Sequence, residues 1–185
     1  MPSTVRVTLS SKSTWAVIIF NEYGLGGITY GVSDLELTAA YAAIADGGQY
    51  RKPVFYTKVT DSKGNVLIDN TENKATQVFK ASTASLLTNA MEDVLEKGTG
   101  VAARLDNMHA AGKTGTTNEA KDLVFAGFTP YYTAAIWATY DTHAEFPESD
   151  REFHKRLWAK VMNEIHEGLA DMDFETSATV QEATI

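Results

Sequence analysis

The chain has 185 residues, 44% hydrophobic and 10% aromatic, which suits one domain with a core of useful size, or a piece of a larger one. Its 24 acidic against 16 basic side chains give a formal charge of −8, which speaks against nucleic acid as a partner, because phosphate backbones select basic surfaces. The absence of cysteine excludes disulfides and thiolate metal sites. The longest early apolar run, Trp15 to Phe20, is too short to cross a bilayer, and no signal-peptide pattern is visible.

In chain order, residues 1 to 27 carry Val7-Thr8-Leu9, then Ser11-Lys12-Ser13-Thr14-Trp15-Ala16-Val17, and reach Gly26-Gly27 soon after Phe20. By residue type alone, Ser11 and Ser13 read as N-cap or loop serines. From Ser33 the pattern sharpens. Ser33-Asp34-Leu35-Glu36 is a capping box, Leu37, Ala40, Tyr41 and Ile44 recur at helical spacing, and Asp46-Gly47-Gly48 stops the helix. Pro53 to Lys58 and Val66 to Ile68 read as two short strands around the turn Asp61-Ser62-Lys63-Gly64-Asn65. A second helix is predicted from about Ala81 to Glu96, with Leu86, Leu87, Ala90, Met91, Val94 and Leu95 as its apolar stripe. Gly98-Thr99-Gly100 is a flexible link, and the isolated His109 reads as structural or exposed.

Ala111-Gly112-Lys113-Thr114-Gly115-Thr116-Thr117 places one cation, several hydroxyls and two glycines within seven residues. Read as a strand, it puts Lys113, Gly115 and Thr117 on one face and Thr114 and Thr116 on the other. A cation beside hydroxyls on an edge suits an anionic ligand such as a carboxylate, and the free N–H groups of an edge suit an extended peptide or an oxyanion. The plainer reading is a Gly-rich hairpin with a solvated lysine. Two further strands, Leu123 to Phe128 and Thr133 to Tyr140, complete an antiparallel sheet edge of three late strands. Phe153, Leu157, Trp158, Val161, Met162 and Ile165 predict a C-terminal helix that buries one face against it, an α+β arrangement. After Asp141 the acidic residues outnumber the basic ten to four, and residues 169–185 read as a disordered acidic tail.

The longer matches decide between these readings of the lysine strand. Tyr30-Gly31-Val32-Ser33-Asp34-Leu35-Glu36-Leu37-Thr38-Ala39-Ala40-Tyr41-Ala42-Ala43-Ile44-Ala45-Asp46-Gly47-Gly48, Gly98-Thr99-Gly100 with Ala102, Gly112 to Thr117, and Phe125-Ala126-Gly127-Phe128-Thr129-Pro130 lie in one order. In that order the chain resembles the transpeptidase domain of class A bifunctional penicillin-binding proteins, whose signatures include Lys-Thr-Gly. The resemblance implies the C-terminal part of a β-lactamase/transpeptidase-like fold over residues 27–168, with 1–26 a shortened remnant of the second-motif region. Ser11 then matches the serine of the family's Ser-x-Asn, and Ser13 stands where the asparagine is expected, losing an amide that both donates and accepts.

The activity implied is acyl transfer. A serine attacks the penultimate D-Ala carbonyl of a peptidoglycan stem peptide, the terminal D-Ala leaves, and a second stem's amine resolves the acyl-enzyme. β-Lactams enter as mimics, and neither metal nor cofactor is needed. In that scheme Lys113 tunes the field of the cleft, Thr114 and Thr116 bind the substrate carboxylate beside Gly115 and Thr117, and the strand offers an oxyanion N–H. The family's nucleophile motif, Ser-x-x-Lys, is absent from the chain. Thr60 to Lys63 and Thr71 to Lys74 have the spacing but sit among turn formers.

The expectation is therefore a chain that is inert alone, belonging to a parent at the extracytoplasmic cell-wall face whose export and anchoring information lies upstream. It would self-associate through an incomplete sheet. A non-catalytic binding or scaffold remnant, and an unrelated small α+β binding domain, are the other readings.

Overall fold

The computed structural model describes residues 4–11 and 31–181. In chain order its elements are β1 (Thr4–Ser11), α1 (Asp34–Ala45), β2 (Gln49–Tyr50), β3 (Lys58–Thr60), β4 (Val66–Asp69), β5 (Thr76–Gln77), α2 (Ala81–Glu96), β6 (Ala111–Thr116), β7 (Asp122–Phe128), β8 (Tyr132–Thr139) and α3 (Phe153–Ile165). The fold is α+β. Its main sheet has the order β1-β8-β7-β6, antiparallel throughout. The three late strands are those expected from sequence. β1 is a fourth, laid along β8 by a segment read beforehand only as a remnant of the second-motif region.

Both faces of this sheet are covered. On one, Leu123, Phe125, Ala134, Ile136 and Ala138 are buried, and α3 lies over Phe125 and Ala134. The Trp158 ring meets Phe125 edge-on at 5.0 Å, and its Nε1 donates to the Ala134 carbonyl at 3.0 Å, so the largest side chain of the core is also polar-satisfied. On the opposite face Ala126, Phe128 and Ala135 are buried too, beneath α1 and α2.

α1 begins as its sequence requires. Glu36 N–H donates to Ser33 Oγ at 3.2 Å and Ser33 N–H to Glu36 Oε2 at 2.8 Å, closing the capping box. Its end uses Gly48 at φ +86°, where an added Cβ would lie 2.1 Å from the Phe79 carbonyl oxygen. The inward face of α1 differs from expectation. Thr38, Ala39, Ala42 and Ala43 are buried, whereas Leu37, Ala40, Tyr41 and Ile44 are half-buried. Small side chains let the helix sit close on a sheet face that includes Ala126 and Ala135, and Thr38 Oγ1 satisfies itself on the Asp34 carbonyl at 2.6 Å.

α2 is rotated in the same sense. Leu95 is buried as expected and is joined by Ala84 and Thr88, while Leu86 and Leu87, also expected in the stripe, are 60% and 39% exposed.

The hairpin is shifted: β3 starts at Lys58, where the predicted strand ended, and residues 53–57 are irregular. The Asp61 carboxylate holds the turn by accepting from the N–H groups of Lys63 and Asn65 and from Asn65 Nδ2, which keeps its pKa below the usual carboxylate range. Phe55, Tyr56, Val66, Leu67 and Ile68 are exposed on and beside this hairpin. The apolar surface expected on an incomplete sheet therefore lies on the hairpin and on the outer face of α2, while β7 and β8 are interior strands.

The segment after Gly168 was expected to be a disordered tail, and for residues 170–177 that expectation is corrected. It has no helix or strand, yet it is tied down as a strap. Asp171 Oδ1 accepts from the His109 N–H at 2.9 Å and sits 3.0 Å from His109 Nδ1. Tyr131 Oη donates to the Ala170 carbonyl, Phe174 packs edge-on against Phe128 at 5.4 Å, and Ser177 N–H donates to Ser85 Oγ. His109 therefore has a partner, 62 residues downstream, which local spacing does not reveal. The Asp171 hydrogen bond raises the His109 pKa.

Candidate functional site: the open edge of the lysine strand

β6 is an outer strand of the main sheet, with Lys113 opposite Ala126, Thr114 opposite Phe125 and Thr116 opposite Leu123. Just past its end the Thr117 N–H donates inward to the Asp122 carbonyl at 3.2 Å. Alternation along an antiparallel pair then turns the N–H groups of Gly115 and Lys113 toward β7 and those of Thr116 and Thr114 toward the open edge. Those two N–H groups are the directional donors of the site.

The side chains converge on the same edge. Lys113 departs from the face opposite to Thr114, as the period of two requires. Because no strand among the described residues lies beyond β6, its stem bends round the edge and Nζ donates to the Thr114 carbonyl at 3.0 Å, 3.4 Å from Thr114 Oγ1. Cation and hydroxyl thus share an edge without sharing a face. Lys113 and Thr116 are exposed and Thr114 and Gly115 half-buried, so the group is reachable from solvent.

Two supports fix this edge. At the middle of β6, Thr99 Oγ1 lies 2.7 Å from Thr114 Oγ1. The Thr99 carbonyl accepts from Lys155 Nζ at 3.0 Å, and that buried ammonium also pairs with Glu152 at 2.6 Å. At the far end, Thr117 Oγ1 donates to Asp122 Oδ2 at 3.0 Å and accepts from the Asp122 N–H at 2.8 Å. Asp122 also accepts from Trp137 Nε1 at 3.0 Å and faces His143 Nε2 at 3.3 Å. Burial pushes the Asp122 carboxyl up, but the hydrogen bonds from Trp137, His143, Thr117 and Thr139 outweigh it and hold the group ionised to lower pH.

The other predicted residues lie elsewhere. Ser11 ends β1 opposite Tyr132, with β8 and β7 between it and β6, so roughly 14 Å of sheet separates it from Lys113 at ~4.8 Å per strand. Ser13 lies outside the described residues. Thr60 closes β3 and Lys63 follows in its turn, and Thr71 donates to Asp69, so neither threonine opens a helix. Among the described residues no group of His, Asp and Glu is arranged to hold a metal ion, and no helix is long and apolar enough to cross a membrane. Thr99, Asp122 and Lys155 were missed as site residues. Thr99 had a sequence signal, its place in Gly98-Thr99-Gly100, whereas Lys155 looks like any helix-surface lysine until α3 is docked.

Comparison with known proteins agrees with this architecture. The family described as the penicillin binding protein transpeptidase domain matches residues 8–166. Penicillin-binding protein 1A of Clostridium perfringens is 33% identical over 160 residues, 86% of this chain and 19% of that protein. Penicillin-binding protein 4 of Bacillus subtilis is 41% identical over 118 residues, 64% of this chain and 19% of that protein. The chain thus spans about a fifth of the length of these relatives. The structure of the PonA1 protein from Mycobacterium tuberculosis in complex with penicillin V superposes with a TM-score of 0.68 at 26% identity, covering 77% of this chain and 40% of that one.

Proposed function

Since the chain belongs to the penicillin-binding protein transpeptidase family, its class A members included, we propose that the open edge of β6 is the carboxylate-binding wall of a D,D-acyl-transfer site that cross-links peptidoglycan. The observation that carries this reading is the convergence of Lys113 Nζ, Thr114 Oγ1 and the outward N–H groups on one accessible edge. An extended peptide ending in a carboxylate pairs with that edge. Its carboxylate meets Thr114 and Thr116, Lys113 supplies positive potential, and the Thr116 N–H is placed to donate to a developing oxyanion.

The 185 residues contain no Ser-x-x-Lys, so the acylating serine and the lysine that deprotonates it are not among them. We therefore assign this chain the binding wall and not the nucleophile, with the complete enzyme acting on the extracytoplasmic cell-wall face.

Intact-protein mass after incubation with excess penicillin V tests the first half of this assignment. An unchanged mass is expected, and a single stable adduct would overturn the inert assignment, with Ser11 the first residue to map. Amide chemical shifts during a titration with diacetyl-Lys-D-Ala-D-Ala test the second. Changes confined to residues 113–117 are expected, and their absence would remove the carboxylate role of β6.

A further inference from the structure

We propose that Thr99 and Lys155 are positioning residues for the Thr114 hydroxyl, holding its rotamer and ordering its proton for an incoming carboxylate. This rests on the reading of β6 as the carboxylate wall.

The Gly98-Thr99-Gly100 loop is pressed onto the last turn of α2. A Cβ on Gly98 would lie 2.8 Å from Val94 Cα, and one on Gly100 would lie 3.0 Å from the Val94 carbonyl oxygen and 3.4 Å from the Phe125 ring. The Gly100 N–H donates to that same Val94 carbonyl at 2.9 Å. A side chain at position 98 would clash with the backbone and one at 100 would be tightly crowded, and seating both neighbours leaves Thr99 projecting toward β6.

Lys155 then fixes the loop from the other side. Its side chain is 8% exposed, and a buried ammonium without acceptors is costly, so Nζ keeps the two that it has, the Thr99 carbonyl and Glu152 Oε1. The result is a continuous path: Glu152, Lys155, the Thr99 backbone, the Thr99 hydroxyl, the Thr114 hydroxyl, Lys113.

Proton accounting along the path leaves two arrangements for the unliganded edge. Lys113 Nζ only donates, so Thr114 Oγ1 accepts from it, and because that oxygen has a second lone pair either hydroxyl of the Thr99–Thr114 pair can be the donor to the other. A carboxylate at the edge selects one of these arrangements: the Thr114 O–H donates to the carboxylate and the Thr99 O–H donates to Thr114 Oγ1. Only hydroxyl protons need to rotate to reach it, and each bond in the chain polarises the next. A valine at position 99 keeps the shape but can neither accept from nor donate to Thr114.

The test uses the chain labelled at its threonine methyl groups. Three-bond couplings of the Thr114 methyl report its χ1 populations, and a diacetyl-Lys-D-Ala-D-Ala titration reports affinity, in wild type and in T99V, T99S, K155M and K155R. Wild type and T99S are expected to hold Thr114 in one rotamer, while T99V and K155M show averaged couplings with unchanged far-UV circular dichroism. Affinity should fall about tenfold in T99V, the effect of one lost hydrogen bond at a reading site, and return in T99S. K155R is expected to fall between wild type and K155M. Unaveraged Thr114 couplings in T99V and K155M would overturn the proposal. Failure of the wild type to bind the peptide would instead remove the carboxylate reading, with the couplings still deciding whether Thr99 and Lys155 hold Thr114.

Discussion

The two faces of the main sheet are built on opposite principles. Under α3 the core is large and aromatic, with Trp158 locked to Phe125 and to the Ala134 carbonyl. Under α1 it is small, with Ala39, Ala42 and Ala43 against a sheet surface that presents Ala126 and Ala135. Volume fills the first face and close approach fills the second. The faces should therefore fail in different directions, the first by truncation and the second by enlargement.

The largest effect expected is on the aromatic face. Trp158→Ala removes a residue that is 1% exposed and should cost about 3–5 kcal/mol in denaturant unfolding, with a shallower slope if the sheet loosens. A loss below about 1 kcal/mol would show that α3 is not the main cover of that face.

Next comes acid. His154, on the same helix, is 2% exposed with neither ring nitrogen hydrogen-bonded among the described residues, and burial, aided by the Lys155 charge, pushes its pKa down to about 4. The unfolded chain takes up that proton near pH 6.5 and the folded chain only near 4, so stability is complete above 6.5 and falls as pH drops through this window. At pH 5 the loss should be on the order of 2 kcal/mol. His154→Leu should flatten the pH dependence between 6.5 and 4, and an unchanged profile would assign the acid sensitivity to other groups.

The small-residue face should respond to the reverse change. Ala43 is fully buried, so Ala43→Val is expected to cost at least about 1 kcal/mol through overpacking, although it adds apolar surface. A stabilising result would mean that α1 has room above the sheet.

The smallest effect belongs to the strap. His109 and Asp171 are each about half exposed, so Asp171→Asn should change global stability by less than about 1 kcal/mol. The sign is opposite to that of His154. The His109 pKa is raised by its partner, so this stabilisation is present below the unfolded value and is lost as pH rises through the raised one. Hydrogen exchange at residues 170–177 should speed up across that rise in wild type, and more weakly in Asp171→Asn, where Asp173 and Glu92 still face the ring.

These contrasts also mark what was readable beforehand. The capping box at Ser33, the late antiparallel strands and the α3 stripe around Trp158 were legible, because each is a short-range pattern with a strong physical signal. The inward face of α1 and the first half of that of α2 differ from the expected stripes because periodicity favours the largest apolar residues, and here alanine and threonine do the packing while Leu86 and Leu87 face outward and Leu95 alone of the α2 stripe is fully buried. The strap escaped notice because composition detects low hydrophobicity but not one histidine waiting for one aspartate.

By itself the sequence determined the family, the α+β class, the motif Lys113-Thr114-Gly115-Thr116 and the absence of Ser-x-x-Lys, since all of these reside in residue identities and their spacing. Tertiary structure decided that Lys113 reaches Thr114 round an open edge, that Thr99 and Lys155 stand behind that hydroxyl, and that two strands lie between Ser11 and the lysine strand. The physical reason is that a hydrogen bond depends on distances of about 3 Å between atoms whose residues lie tens of positions apart, and only strand order and helix docking set those distances.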